Sequence, residues 1–312
     1  MSALICGSMA YDTIMVFHDK FKHHILPEKV HILNVSFLVP VMRREYGGCA
    51  GNIAYNLKLL GEEPLIMATV GHDFEPYAQW LSQCRISSQY IKVLNDTYTG
   101  QAYITTDEDA NQITAFHPGA MNFSHLNQVP LQGEHGISVG IVSPDGKEGM
   151  QAHAAQFVEA GIPFIFDPGQ GMPMFKGEEL LQLIEQATWV TLNDYESELM
   201  LERTGLSLEQ LAAKVEALII TRGAKGSQIY TAGQCIEIPV AKAHALNDPT
   251  GCGDAYRAGL LYGIMNEYDW EITGRIASLI GAIKIEQHGT QNHAFTMESF
   301  KTRYFESFGA HF

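Results

Sequence analysis

Eight consecutive residues carry the types and spacing for phosphate chemistry: Asn247-Asp248-Pro249-Thr250-Gly251-Cys252-Gly253-Asp254. Two glycines and a small cysteine let an anion approach the main chain. A helix-like run, Ala255 to Met265, begins straight after them. Backbone N–H groups at a helix start hold an anion, so Gly251, Cys252 and Gly253 read as an anion hole. Asp254 at its rim reads as the base that takes a proton from an attacking hydroxyl. The local residues leave a second reading open, because an acid in a first turn also caps its own helix. Cys252 reads as a small packing residue rather than a nucleophile.

A second flexible turn, Gly47-Gly48-Cys49-Ala50-Gly51-Asn52-Ile53-Ala54, also runs into a helix-like segment. Asparagine both donates and accepts, which suits adjacent sugar hydroxyls. Tight packing at a strand–helix junction is the alternative. Two further groups follow apolar runs. Asn193-Asp194-Tyr195-Glu196 reads locally as a capping asparagine with an exposed glutamate. In Thr221-Arg222-Gly223-Ala224-Lys225-Gly226, Gly226 suits a tight turn and Lys225 a solvent-facing position. The Gly-Lys-Ser/Thr of a Walker A loop is absent from this segment.

These residues need strands and helices to place them. Ala3–Cys6 and 64–70 read as buried strands, with a helix between Gly51 and Leu60. From 137 onward, strand and helix runs alternate: 137–142, 149–160, 163–166, 178–186, 188–192, 208–216 and 217–221. That pattern predicts parallel strands covered by helices. The runs 98–105 and 112–116 flank the polar stretch 106–111 and predict a hairpin. With residues 13–46 they predict a small β lid. No internal repeat or low-complexity tail is visible.

The chain has 312 residues, 46% hydrophobic and 18% charged. That is a globular composition and fits one large domain. The formal charge of -15 disfavours nonspecific nucleic-acid binding. Five scattered cysteines lack zinc-type pairing and fit reduced thiols in the cytoplasm. Residues 1–12 hold no basic stretch ahead of a long apolar run, so no signal peptide is expected. No apolar segment reaches the roughly 20 residues that span a bilayer.

The segment Asp248–Asp254 resembles the second signature of the ribokinase-like, or PfkB, sugar-kinase family, and Gly47–Gly61 resembles its first. The resemblance covers nearly the whole chain. Around Gly100-Gln101-Ala102-Tyr103, Phe116-His117-Pro118-Gly119-Ala120 and 248–259 it is nearest to the bacterial and archaeal adenosine or nucleoside kinases. It implies one domain over 1–312: a three-layer α/β core with a predominantly parallel central sheet, and lid segments near 13–46 and 97–118. It further implies ATP as donor, Mg²⁺, and γ-phosphate transfer to a ribose 5′-hydroxyl.

Residue by residue, the resemblance makes Asp254 the base and 251–253 the anion hole. It makes Asp12 and Asn52 acceptor ligands, with Gly48 allowing close substrate approach. Locally, Asp12 could equally cap the turn after Gly7-Ser8. Phe37, Phe116 and Met121 are candidates for an apolar base pocket, with ordinary lid packing as the alternative. Asn193 and Glu196 correspond to an Asn-x-x-Glu motif that organises phosphate, water and Mg²⁺. Thr221, Gly223 and Gly226 lie on the nucleotide side. His288, within Glu286–Asn292, is a nucleotide contact or a packing residue. Asp248 and Thr250 shape a candidate K⁺ loop. Arg257 either approaches phosphate or faces solvent. The lid either joins a homodimer or closes a single site. A ribose or fructose kinase, and a noncatalytic nucleoside-binding protein, remain the competing functions.

Overall fold

The computed structural model describes residues 1–25, 31, 32, 34–109, 111–131 and 134–312. The part of the expected lid at 26–30 and 33, and Ala110 of the expected turn, lie outside the described residues.

The described strands, in chain order, are β1 (Ser2–Cys6), β2 (Ala10–Val16), β3 (Val41–Gly47), β4 (Glu63–Gly71), β5 (Ser87–Leu94), β6 (Gly100–Thr106), β7 (Gln112–His117), β8 (Ile137–Val142), β9 (Phe164–Phe166), β10 (Trp189–Asn193), β11 (Ala217–Thr221), β12 (Ser227–Thr231) and β13 (Gln234–Ile238). The described helices are α1 (Cys49–Leu59), α2 (Glu75–Gln83), α3 (Lys147–Ala160), α4 (Gly177–Gln186), α5 (Asp194–Thr204), α6 (Leu208–Ala212), α7 (Cys252–Met265), α8 (Trp270–Ile285) and α9 (Met297–Phe308).

The large sheet runs β13-β12-β11-β10-β9-β8-β1-β4-β5. From β11 to β5 all pairings are parallel. Its strands are close to continuous apolar runs because both faces are covered. One cluster packs Ile5, Ile141 and Ile219 with α1, α7 and α8; the other packs Leu4, Phe166 and Leu218 with α3 and α4. The strand–helix rhythm of the sequence thus becomes a three-layer core.

The rhythm fails after β11, where β12 and β13 turn back antiparallel. Residues 222–226 leave no length for a crossover helix, which a parallel connection needs. Ala232 and Gly233 follow, both with positive φ, and make the two-residue hairpin turn. Only Leu208–Ala212 of the expected helical run 208–216 is helical.

The lid is a four-stranded sheet, β3-β2-β6-β7. It starts three residues earlier than the expected boundary at 13. Ala10 already pairs with Gly47 and with Gly100. Asp12 therefore belongs to a lid strand and does not cap the turn after Gly7-Ser8. At the foot of the lid, Gly48 at φ 86 turns the chain from β3 into α1. A Cβ there would lie 2.6 Å from the Ser8 carbonyl oxygen and 2.7 Å from the Ala10 nitrogen. The space that Gly48 frees in that direction is filled by the protein's own backbone.

Candidate active site

Asp254 stands in the first turn of α7. The turn is made by Gly251 as N-cap, in the left-handed region at φ 79. A Cβ at Gly251 would also meet Thr290 Cγ2 at 2.9 Å, so glycine is required twice over. The Asp254 carboxylate is not spent on capping α7. Its Oδ2 accepts from Asn52 Nδ2 at 2.8 Å, across to α1. Burial pushes its pKa up to about 6, against the opposing pull of the Asn52 hydrogen bond and the Arg257 charge.

A chain of hydrogen bonds fixes the Asn52 amide. The indole N–H of Trp80 can only donate, and it gives 2.8 Å to Gln291 Oε1. Gln291 Nε2 is thereby turned to donate to Asn52 Oδ1 at 3.0 Å and to the Tyr77 hydroxyl at 2.7 Å. Tyr77 in turn donates to the Gly47 carbonyl at 2.9 Å. With its Oδ1 occupied, Asn52 must present Nδ2 to Asp254. The aromatic layer of Tyr11, Tyr46, Tyr77 and Trp80 packs around this chain.

Asp12 approaches from the lid. It sits opposite Glu45 in the β2–β3 register. Burial raises its pKa to about 6, and the charges of Asp254, Glu45 and Asp248 add to the rise. A Cβ at Gly47 would come within 2.5 Å of Asp12 Oδ2, so this glycine makes room for the carboxylate. Two carboxylates with raised pKa values, one on the lid and one on the core, thus lie near one another and the Asn52 amide. The segment after α8 ties the lid to the core here. Thr290 Oγ1 donates to the Tyr46 carbonyl at 2.7 Å, and Asn292 Nδ2 to Glu45 Oε2 at 2.9 Å.

The three expected anion-hole donors are not equivalent. The Cys252 N–H turns back to the Pro249 carbonyl at 3.2 Å. The first i to i−4 bond of α7 is Ala255 N–H to the Gly251 carbonyl at 2.9 Å, so the N–H groups of Gly253 and Asp254 precede the helical ladder. Burial lifts the Cys252 thiol to about 11, the state of a packing residue rather than of a nucleophile. The oxygens of Asp248 are all engaged: Oδ1 accepts from Thr250 N–H at 2.9 Å, Oδ2 from Gly289 N–H at 3.0 Å, and the carbonyl from Lys284 Nζ at 2.7 Å.

On the other side of α7, Asn193 and Thr221 are side by side at the ends of β10 and β11. Asn193 caps α5 in a capping box: Glu196 N–H donates to its Oδ1 at 2.7 Å, and its own N–H donates to Glu196 Oε2 at 2.8 Å. Glu196 is not an exposed glutamate. It is half-buried, 4.0 Å from the Arg257 guanidinium, and its pKa is raised, chiefly by burial.

Arg257 neither faces solvent nor is left free to reach outward. It is 5% exposed and forks onto both oxygens of buried Asp167, at 2.9 and 3.1 Å. Thr221 Oγ1 reaches the Leu192 carbonyl at 3.4 Å. Gly223 is open at φ 53, while a Cβ at Gly226 would strike the Ile238 carbonyl oxygen at 2.1 Å. His288 is exposed, which removes its packing alternative; its carbonyl accepts from Asn292 Nδ2 at 2.9 Å.

The three residues expected to line a base pocket have different surroundings. Phe37 packs with Phe17, Phe21 and His24 inside the lid's own aromatic cluster. Phe116 is 53% exposed on β7. The Met121 carbonyl lies where Gly146 has no Cβ, on the α3 side of the core. Ordinary lid packing accounts for Phe37.

Sequence reasoning missed Gln291, Glu45, Asp167 and Lys284. The signal for Lys284 and Arg257 was present: each is a lone cation inside an otherwise apolar helical run. Gln291 gave no signal beyond its place in 286–292, because its role is set by Trp80, far away in sequence.

With this geometry in view, the comparisons agree. The pfkB family carbohydrate kinase pattern matches residues 9–296. A nucleoside kinase from Methanocaldococcus jannaschii is 34% identical over 288 residues, spanning 91% of this chain and 93% of that protein. Its crystal structure superposes with a TM-score of 0.89, covering 98% of each chain at 31% identity. The Burkholderia thailandensis nucleoside kinase in complex with inosine is 50% identical, with a TM-score of 0.89 and 99% of each chain covered. The chain belongs to the pfkB family of carbohydrate kinases. It is an ATP-dependent phosphotransferase with a hydroxyl group as acceptor.

Proposed function

We propose that this kinase phosphorylates the 5′-hydroxyl of a nucleoside, with adenosine as the preferred acceptor and Asp254 as the base. The observation that supports the reading is the Asn52–Asp254 hydrogen bond, with Asp12 of the lid close enough for the Asp254 charge to raise its pKa. The Asp12 carboxylate accepts from the vicinal ribose hydroxyls. The Asn52 amide and Asp254 flank the hydroxyl that attacks. Asp254 receives the proton as that oxygen closes on the terminal phosphorus, while the main chain at 251–253 and the start of α7 stabilise the charge on the transferring group.

On the donor side, Thr221 and Gly223 hold the nucleotide. The donor set of Asn193 and Glu196 is oxygen-rich, with Glu196 Oε2 already fixed by a backbone N–H. Such a set suits Mg²⁺ held through water. The ion would neutralise phosphate charge there.

A nucleoside rather than a free sugar is favoured by the two relatives at 34% and 50% identity, both nucleoside kinases. The B. thailandensis protein was also solved with ADP-inosine, which supports a purine nucleoside. Five free thiols fit the cytoplasm. Among the described residues no helix is long and apolar enough to cross a membrane. The outer lid strand β7, exposed along its length, is where a second copy would dock in a homodimer.

A coupled phosphotransfer assay across adenosine, inosine, guanosine, cytidine, ribose and fructose tests the reading. Adenosine is expected to give the highest kcat/KM. Turnover of ribose or fructose with none of any nucleoside would overturn it, and a better purine nucleoside would displace adenosine alone.

A further inference from the structure

A cation is built into the chain beneath the phosphate-binding turn. Lys284 lies in the last turn of α8 and is completely buried. Its ammonium donates to the Asp248 carbonyl at 2.7 Å and to the Gln287 carbonyl at 3.2 Å. Those two carbonyls belong to the two segments that converge there: the loop that leads into Gly251–Gly253, and the turn that caps α8. The same loop is pinned to the helix end by Asn247 and Asp248 N–H groups, which both donate to the Ile285 carbonyl at 2.9 and 3.1 Å. Burial lowers the pKa of Lys284, and the nearby carboxylates of Asp248 and Asp254 oppose that shift in favour of the charged amine. The negative end of the α8 dipole favours it further.

This is the place where the family resemblance put a monovalent cation loop, with Asp248 and Thr250 shaping it. The residues do not fit such an ion. Each of the three Asp248 oxygens already accepts a hydrogen bond. An arriving K⁺ would have to share carbonyls with an ammonium of the same sign, in a buried setting where like charges repel strongly. A neutral or short side chain at 284 would instead leave two carbonyls facing each other without a donor.

The geometry points to Lys284 as a tethered replacement for the monovalent cation: its ammonium positions the 248–254 turn for phosphate, and the enzyme works without K⁺. Lys284 is a positioning residue, since it acts through the turn and touches no reacting atom. The inference rests on the reading of Gly251–Gly253 as the phosphate-binding turn. It makes a prediction about ions that the base assignment does not make.

The test is turnover of the full-length protein in buffers whose only monovalent cation is choline, then with KCl or NH4Cl added, alongside calorimetric ADP binding in the same buffers. ADP binding needs neither the acceptor nor Asp254, so it separates this inference from the reading of the base. Wild-type turnover and ADP affinity are expected to change less than about twofold once ionic strength is matched. In choline, Lys284→Ala is expected to lose on the order of 100-fold in kcat. KCl or NH4Cl should restore much of that loss saturably, as an ion entering the vacated space would. Lys284→Met, which fills the space without a charge, is expected to stay impaired in every salt while its melting temperature shows a folded protein. Strong activation of the wild type by K⁺ would overturn the inference even if neither variant folds. So would a folded Lys284→Met with wild-type turnover and ADP affinity. Failure of the other reading has a different signature: Asp254→Asn keeping its turnover, with the ion results unchanged.

Discussion

The two halves of the cleft are held in different ways. On the acceptor side, each functional side chain is oriented by residues remote in sequence: Asn52 by Gln291, Gln291 by Trp80, and the foot of β3 by Thr290 and Asn292. On the nucleotide side the partners are nearer in sequence, apart from the approach of Glu196 to Arg257. Asn193 and Glu196 satisfy each other within one helical turn, and Thr221 leans on the adjacent strand. The acceptor side is therefore costly to alter. The nucleotide side is self-contained, so its residues can change at little cost to the fold. On the function proposed above, the chemistry that needs a proton path belongs to the first, and the ligand with several phosphates, which brings its own adhesion, to the second.

The sharpest way to break this contrast is Asp254→Asn. An asparagine there still accepts from Asn52, so the protein stays folded, while kcat is expected to fall about 10³-fold or more. The same variant should gain stability. The folded-state pKa of Asp254, about 6, lies above the unfolded value near 3.9. The folded state therefore binds this proton more tightly. The cost of burying the carboxylate is absent below pH ~4, grows as pH rises, and is complete above ~6. At pH 8 the variant is expected to be about 1–2 kcal/mol more stable in urea melts, after allowance for partial solvent screening. Equal or lower stability would mean that the carboxylate is held for the fold.

Gln291 tests the long-range side. Gln291→Leu leaves Trp80 Nε1 and Asn52 Oδ1 without partners, at about 1–3 kcal/mol for each group. A misaimed Asn52 amide should also lower kcat about tenfold or more. Gln291→Glu separates orientation from packing: it accepts from Trp80 but cannot donate to Asn52, and it adds negative charge. Its acidic limb in kcat/KM against pH should shift upward, which a purely structural role would not produce. In the wild type that limb is expected near pH 6, with activity rising as Asp254 and Asp12 lose their protons. A limb near pH 4 would show that neither group governs turnover.

On the nucleotide side, Glu196→Gln keeps the bond from Asn193 N–H but loses the charge. It is expected to raise the KM for ATP about tenfold at fixed magnesium and to leave the melting temperature nearly unchanged. The smallest effect belongs to Thr221→Val, where only a 3.4 Å contact is lost. A change of about threefold or less in the KM for ATP is expected, with kcat untouched. A large loss of stability in either variant would erase the distinction between the two halves.

Much of this is legible in the sequence, and the reason is locality. The β1, β8, β10 and β11 runs, the starts of α1 and α7, and the Asp254 turn are each specified within a dozen residues. The lid was legible as alternating strands, though its first residues were not, because Ala10–Asp12 pair with partners some 35 and 90 residues on. The antiparallel edge β12–β13 was hidden behind a short turn rather than a missing helix. The cluster around Phe37 shows the opposite failure: Phe37 read as pocket lining because nothing in the sequence says that it packs on Phe17 and Phe21. Arg257 and Lys284 were visible as charges in apolar helices, but their partners, Asp167 and two carbonyls, exist only in three dimensions.

The tie between the 289–292 segment and the foot of β3 bears on how the enzyme is made. Asn52 is made 239 residues ahead of Gln291, whose amide aims it. A nascent chain can complete the strands of the donor side well before it can orient an acceptor. On the function proposed above, catalytic competence waits for residue 291, and a chain cut before it would keep β10 and β11 without the amide that aims Asn52.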